Sequence, residues 1–190
     1  MNYAIVGALG LLLAGCTAPL RGMRELPAAH VNITPPPDQA AVVFMRGKAG
    51  GSISTSLFDL REPPDQFIGI LVYESRLLYL TTPGRTRFMV VGQSASFMDA
   101  DLVGGKTYYV GVVLGGLGEE TFELRPLRAG DLQQREARRC AETCAWLANT
   151  EKSQEWARYQ WSSIQRKKAR YLPQWERRTN RPALLATDGR

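Results

Sequence analysis

From residue 40 to about 127 apolar and polar residues alternate with a period close to two; beyond residue 131 the period lengthens toward 3.6. The first spacing belongs to strands with one face on a core, the second to an amphipathic helix. Ala41 to Arg46 reads as a first strand, followed by a turn at Gly47-Lys48-Ala49-Gly50-Gly51. Ile53 to Arg61 is a second, broken by Pro63-Pro64-Asp65, and Gln66 to Tyr73 a third with Ile68, Ile70 and Val72 on one face. Arg76 to Thr81 closes at Pro83-Gly84; Arg85 to Val91 then puts Phe88 and Val90 on one face, Arg85 and Arg87 on the other. Ser96 to Val103 runs into Gly104-Gly105, Lys106 to Leu114 aligns Tyr108, Val110, Val112 and Leu114, and Gly115-Gly116 turns into Glu119 to Leu124. Eight short strands with turn residues about every 8–12 positions predict an antiparallel β-sandwich. No helical stretch of about ten residues interrupts them, which excludes a parallel βαβ sheet.

After Asp131 a helix is expected from Leu132 to about Asn149, and a second from Glu151 to Tyr171, stopped by Pro173. The chain from 172 to 190 is Arg-rich and without pattern, and reads as a disordered tail. The charge is uneven. Residues 1–130 carry eleven basic and eleven acidic side chains, whereas residues 131–190 carry thirteen and seven, so the whole +6 belongs to the last sixty residues. All four tryptophans lie there too. A uniformly basic nucleic-acid binder would look different.

The N-terminus carries an apolar run over residues 3–13, too short for a permanent span of about 20 residues but suited to a signal peptide. It leads into Leu13-Ala14-Gly15-Cys16, which resembles the lipobox of bacterial lipoproteins. The resemblance implies removal of residues 1–15, lipidation of Cys16 and a place in the bacterial cell envelope, at the outer membrane facing the periplasm. The n-region, Met-Asn-Tyr, departs from the pattern by lacking Lys or Arg. Residues 16–39, with Pro19, Pro27 and Pro35-Pro36-Pro37, read as an extended tether bearing the lone His30.

Within residues 38–127, Ala41-Val42-Val43-Phe44-Met45-Arg46, Ile68-Gly69-Ile70-Leu71, Pro83-Gly84, Gly104-Gly105-Lys106-Thr107-Tyr108-Tyr109-Val110 and Phe122-Glu123-Leu124 together resemble the DUF2846 family. That family consists of small extracytoplasmic β-domains of bacterial lipoproteins. The resemblance implies a fold similar to PEGA-type and transthyretin-like domains, a structural or binding role, and no catalytic residues to carry over.

Little in the chain reads as catalytic. One histidine removes most nucleophile relays and His-rich metal sites. Asp99 and Asp101 share a strand face but lack the oxygen ligands that calcium needs. Gly104-Gly105-Lys106-Thr107 precedes a strand, not a helix, and is a turn rather than a phosphate loop. Neither a metal nor a cofactor is expected, and the chain reads as non-enzymatic. Of Tyr108 and Tyr109 one is expected in the core; the other joins Phe97 in an exposed aromatic patch, or is covered by cross-strand packing or the tail. With Cys16 lipidated, Cys140 and Cys144 remain, and an oxidising compartment favours a bridge. At i and i+4 on a regular helix they are poorly placed for one, so local unwinding or an intermolecular bridge is required.

The aromatic and basic residues of the second helix, Trp156, Tyr159, Trp161, Arg166, Lys167 and Lys168, form a candidate binding surface. It suits an anionic membrane, a cell-wall glycan or an envelope protein, or else the helix packs across the sandwich with a solvated basic face. Nucleic acid suits the same chemistry but is excluded by the compartment that the lipobox implies. The expected function is therefore a lipid-anchored interaction or structural module, with cell-wall glycan binding as the alternative.

Overall fold

The computed structural model describes residues 22–48, 51, 53–115 and 121–190. Residues 1–15, Cys16, part of the first turn and Glu119-Glu120 lie outside the described residues. The described residues are mainly β: eleven strands in two sheets, with one long helix near the C-terminus. All eight strands read from the alternation are present: β2 (Ala40–Arg46), β3 (Thr55–Asp59), β4 (Gln66–Leu71), β5 (Ser75–Thr81), β6 (Gly84–Val91), β7 (Ala95–Leu102), β8 (Thr107–Gly115) and β9 (Thr121–Pro126). Three short ones are added: β1 (Arg24–Leu26), β10 (Ala145–Ala148) and β11 (Ala183–Leu184).

The first sheet has the order β1-β10-β5-β2-β8-β9 and the second β11-β7-β6-β3-β4. Contrary to the antiparallel expectation both sheets are mixed, because β2 pairs with β8, β5 with β10 and β7 with β11 in parallel. Alternation fixes which face of a strand is buried but carries nothing about the direction of its neighbour.

Three apolar clusters hold these layers. Between the sheets lie Val42, Phe44, Leu57, Ile70, Phe88, Val90, Met98, Tyr108, Val110 and Phe122. The outer face of the first sheet, with Val43 and Met45, is closed by Cys140, Cys144, Trp146 and Leu127. The outer face of the second is closed by the long helix. With apolar cover on both sides, every residue of β2 is buried.

The cover of the first sheet corrects two expectations. The helix expected from Leu132 to Asn149 stops early: α1 spans Arg135–Thr143, and the chain then extends into β10. Cys144 has extended dihedrals (φ −63°, ψ 141°), and this departure from the helix brings it within bonding reach of Cys140; the two form a disulfide with 4.6 Å between Cα atoms. Their sulfurs lie 3.6 and 3.7 Å from the Arg46 carbonyl oxygen. The described part of the expected tether is not free either. β1 pairs with β10, the Thr107 hydroxyl donates to the Ile33 carbonyl (2.6 Å), and Pro37 abuts Gly104.

Two charged side chains, Arg46 and Asp59, are buried between the sheets. Arg46, fully buried, donates to the carbonyls of Ile53, Leu71 (3.3 Å) and Gly51 (3.3 Å), with its guanidinium 4.4 Å from the centre of the Phe122 ring. Burial lowers its pKa to about 10. Asp59 accepts from the Thr86 hydroxyl and the Arg61 amide (2.9 Å), and lies 3.1 Å from the Tyr79 hydroxyl. Burial, reinforced by the Asp59 carboxylate, pushes the Tyr79 phenol up to about 12.

Because the folded phenol titrates above the unfolded value of about 10, its contribution to stability is fully present below about pH 10 and is lost as pH rises through 12. Absorbance titration of the phenolates in the native protein is expected to show a late step that Tyr79→Phe removes. Ionisation of every phenol near pH 10 contradicts the burial described here.

Candidate interaction surface on the long helix

The helix α2 spans Glu151–Glu176, about 39 Å at 1.5 Å per residue. Its start is held by a capping box between Thr150 and Ser153, and the Thr150 hydroxyl donates to the carbonyl of Gly22. Gly22 sits there with φ +82°, so close that a Cβ would lie 2.9 Å from the Ser153 nitrogen; only glycine suits both conditions. The helix runs through Pro173, where it was expected to stop. Trp175, the next-to-last residue of the helix, is buried against Phe97 with ring centres 5.8 Å apart. Nor is the rest of 172–190 a patternless tail: Ala183 and Leu184 pair with Asp99 and Ala100, and the backbone of Arg190 exchanges two hydrogen bonds with Thr107.

This packing divides the candidate surface. Trp161 is half-buried on Phe58 (6.2 Å between centres), Trp156 half-buried on Phe67 (6.4 Å), and Ile164 fully buried. Lys168 is paired with Asp65 at 2.6 Å, and Asp65 also accepts from Gln165 (2.9 Å). Lys167 donates to the Gly92 carbonyl, and burial lowers its pKa. Tyr159 and Arg166 remain outside; Tyr159, 84% exposed, is the most open large apolar side chain among the described residues. With Arg158, Ser162 and Arg170 they form a solvent stripe at spacings of three and four. Phe97, expected in an exposed patch, is covered by the helix, Tyr108 is in the core, and Tyr109 is half-buried with the Arg190 guanidinium 5.6 Å from its ring centre.

At the helix C-terminus the charges are tied to the sheet. Arg87 donates to Asp99 (2.7 Å) and Glu176 (2.8 Å), and the guanidinium groups of Arg87 and Arg181 lie 4.7 and 5.1 Å from the centre of the Trp175 ring. The strand carboxylate Asp99 is thus a partner for an arginine. A groove of about 410 Å³ runs between α2 and the β6–β7 turn, lined by Trp156, Gln160, Ser163, Lys167, Ser54 and Gln93. Sequence reasoning named Trp156 and Lys167 but missed the others, because glutamines and serines acquire meaning only when the fold gathers them.

Among the described residues no three His, Cys, Asp or Glu side chains gather as metal ligands, and no helix is long and apolar enough to cross a membrane. No family model, no curated protein and no solved structure matches this chain.

The division of α2 has a direct consequence for stability. Trp175→Ala is expected to cost about 3–5 kcal/mol, whereas Tyr159→Ala should stay within about 0.5 kcal/mol of the parent protein. Denaturant unfolding checks both, and equal losses contradict the orientation of the helix.

Proposed function

We propose that the chain is a lipid-anchored protein of the bacterial envelope that acts as a non-catalytic interaction module, with Cys16 carrying the lipid. The β-domain is read as DUF2846-like and of the PEGA or transthyretin-like kind. Two features support the compartment: the run ending in Leu13-Ala14-Gly15-Cys16, and the Cys140–Cys144 disulfide, a bond that persists in oxidising surroundings.

The observation that carries the interaction role is the stripe of Tyr159 among Arg158, Arg166 and Arg170 on the open face of a helix whose other face is locked to a sheet. Tyrosine and arginine are the side chains that dominate protein interfaces, and a rigid base lowers the ordering cost of using them. The partner is an envelope protein. Only five residues separate Cys16 from Gly22, a reach of about 20 Å at full extension, so the Gly22 end of the domain stays near the membrane. A second reading, cell-wall glycan binding, is favoured by the groove beside Trp156, where an aromatic ring meets amides and hydroxyls.

Cys16→Ser is expected to move the protein from the detergent phase to the aqueous phase in membrane fractionation. Unchanged partitioning contradicts the anchor. Tyr159→Ala should abolish stoichiometric co-purification of the envelope partner while leaving the fold intact; undiminished co-purification removes the stripe from the interface.

A further inference from the structure

Beyond α2 the chain passes over the seam where β7 meets β9, the edge at which the two sheets close on each other. There Ser96, Glu123, Arg125, Arg178, Asn180 and Arg181 line an open cleft of about 500 Å³. Three arginines from two separate segments and one carboxylate line it, and Arg177 lies exposed beside them in sequence. Glu123 balances one charge, at 3.6 Å from Arg178. Arg181 is stacked over Trp175, and Arg125 is exposed on β9. Serine, threonine and asparagine side chains complete the lining with neutral hydrogen-bonding groups.

We infer that this cleft binds the carboxylate groups of an acidic wall glycan. The inference rests on the envelope reading above and concerns a different site from the Tyr159 stripe and the Trp156 groove. The chemistry is that of planar guanidinium forks, which match carboxylates in pairs. An arginine stacked on a tryptophan is already oriented and loses little freedom on binding. Position argues for a polymer rather than the lipid headgroups around the anchor. Gly22, the described residue nearest to Cys16 in the chain, is held at the N-terminal end of α2, and the cleft follows the C-terminal end, about 39 Å away along the helix. A site so placed is separated by the length of the helix from the end nearest the proposed anchor.

The test uses the full-length protein in detergent, so it does not depend on fractionation. Co-sedimentation is measured with purified peptidoglycan sacculi, with chitin as a neutral glycan of related backbone, and with phosphatidylglycerol added to the detergent micelles as a headgroup competitor. Expected is binding to sacculi that weakens with added salt, none to chitin, and at least a tenfold loss of affinity in Arg125→Gln/Arg181→Gln. Arg125→Gln alone, which alters an exposed side chain, should lose severalfold. Absence of binding to sacculi, full binding by both variants, or displacement from sacculi by micellar phosphatidylglycerol overturns the inference. Loss on Trp156→Ala with both arginine variants unaffected assigns the glycan to the helix groove and overturns it as well. A failed Cys16→Ser fractionation with sacculus binding intact would remove the anchor and leave the cleft standing.

Discussion

The outer face of the second sheet is apolar and must be covered. Phe58, Met89, Val91, Ala95 and Phe97 all point away from the inter-sheet core, and leaving them in water would forgo on the order of 1.5–3 kcal/mol for each large side chain. Covering them is the work of α2, and most of what distinguishes this protein follows. The helix spends Trp161, Ile164 and Trp175 on the sheet, so its aromatic content is structural in large part. Its arginines are left to solvent by geometry, since a helix with one apolar stripe must turn the remainder outward. The segment after the helix is then brought over the β7–β9 seam, where β11 and the cleft form.

The same demand shapes the other side of the sandwich by different means. The outer face of the first sheet is closed by the short helix α1, the disulfide and the chain around Val31 and Ile33, while β1 and β10 extend that sheet at its edge. A nine-residue helix has little intrinsic stability. The Cys140–Cys144 bond, pressed against the Arg46 carbonyl, ties its last turn to the strand that follows. Arg46 itself joins two of these layers. Its carbonyl meets the disulfide outside the first sheet, while its side chain runs between the sheets to the carbonyls of Ile53 and Leu71.

Legibility in the sequence followed the strength of each periodic signal. The eight long strands were readable because burial on one face imposes a period of two, and the bounds of β5, β6 and β8 fall within a residue of the alternation. β1, β10 and β11 have two to four residues each, too few to carry a period, and form through neighbours distant in sequence. Cys140, Cys144 and Leu147 imitate a helical stripe, which concealed that Cys144 leaves the helix to reach its partner. Trp156, Trp161 and Trp175 interleaved with bases look alike whether the rings face a ligand or a sheet; only Phe58, Phe67 and Phe97 opposite them decide it. The seam cleft was not legible at all, since Arg125 and Arg181 are 56 residues apart and carry no local motif.

The central claim is that α2 belongs to the folding unit of the sandwich rather than extending from it. Native-state hydrogen exchange tests this most directly, by comparing the backbone amides around Ile164 in α2 with those of Met89 in β6 and Phe97 in β7. A helix integral to the unit exchanges with the same opening free energy as the sheet, and that energy falls in parallel for both when Trp175 is replaced. Amides near Ile164 that exchange rapidly while those of Met89 and Phe97 remain protected would contradict the claim.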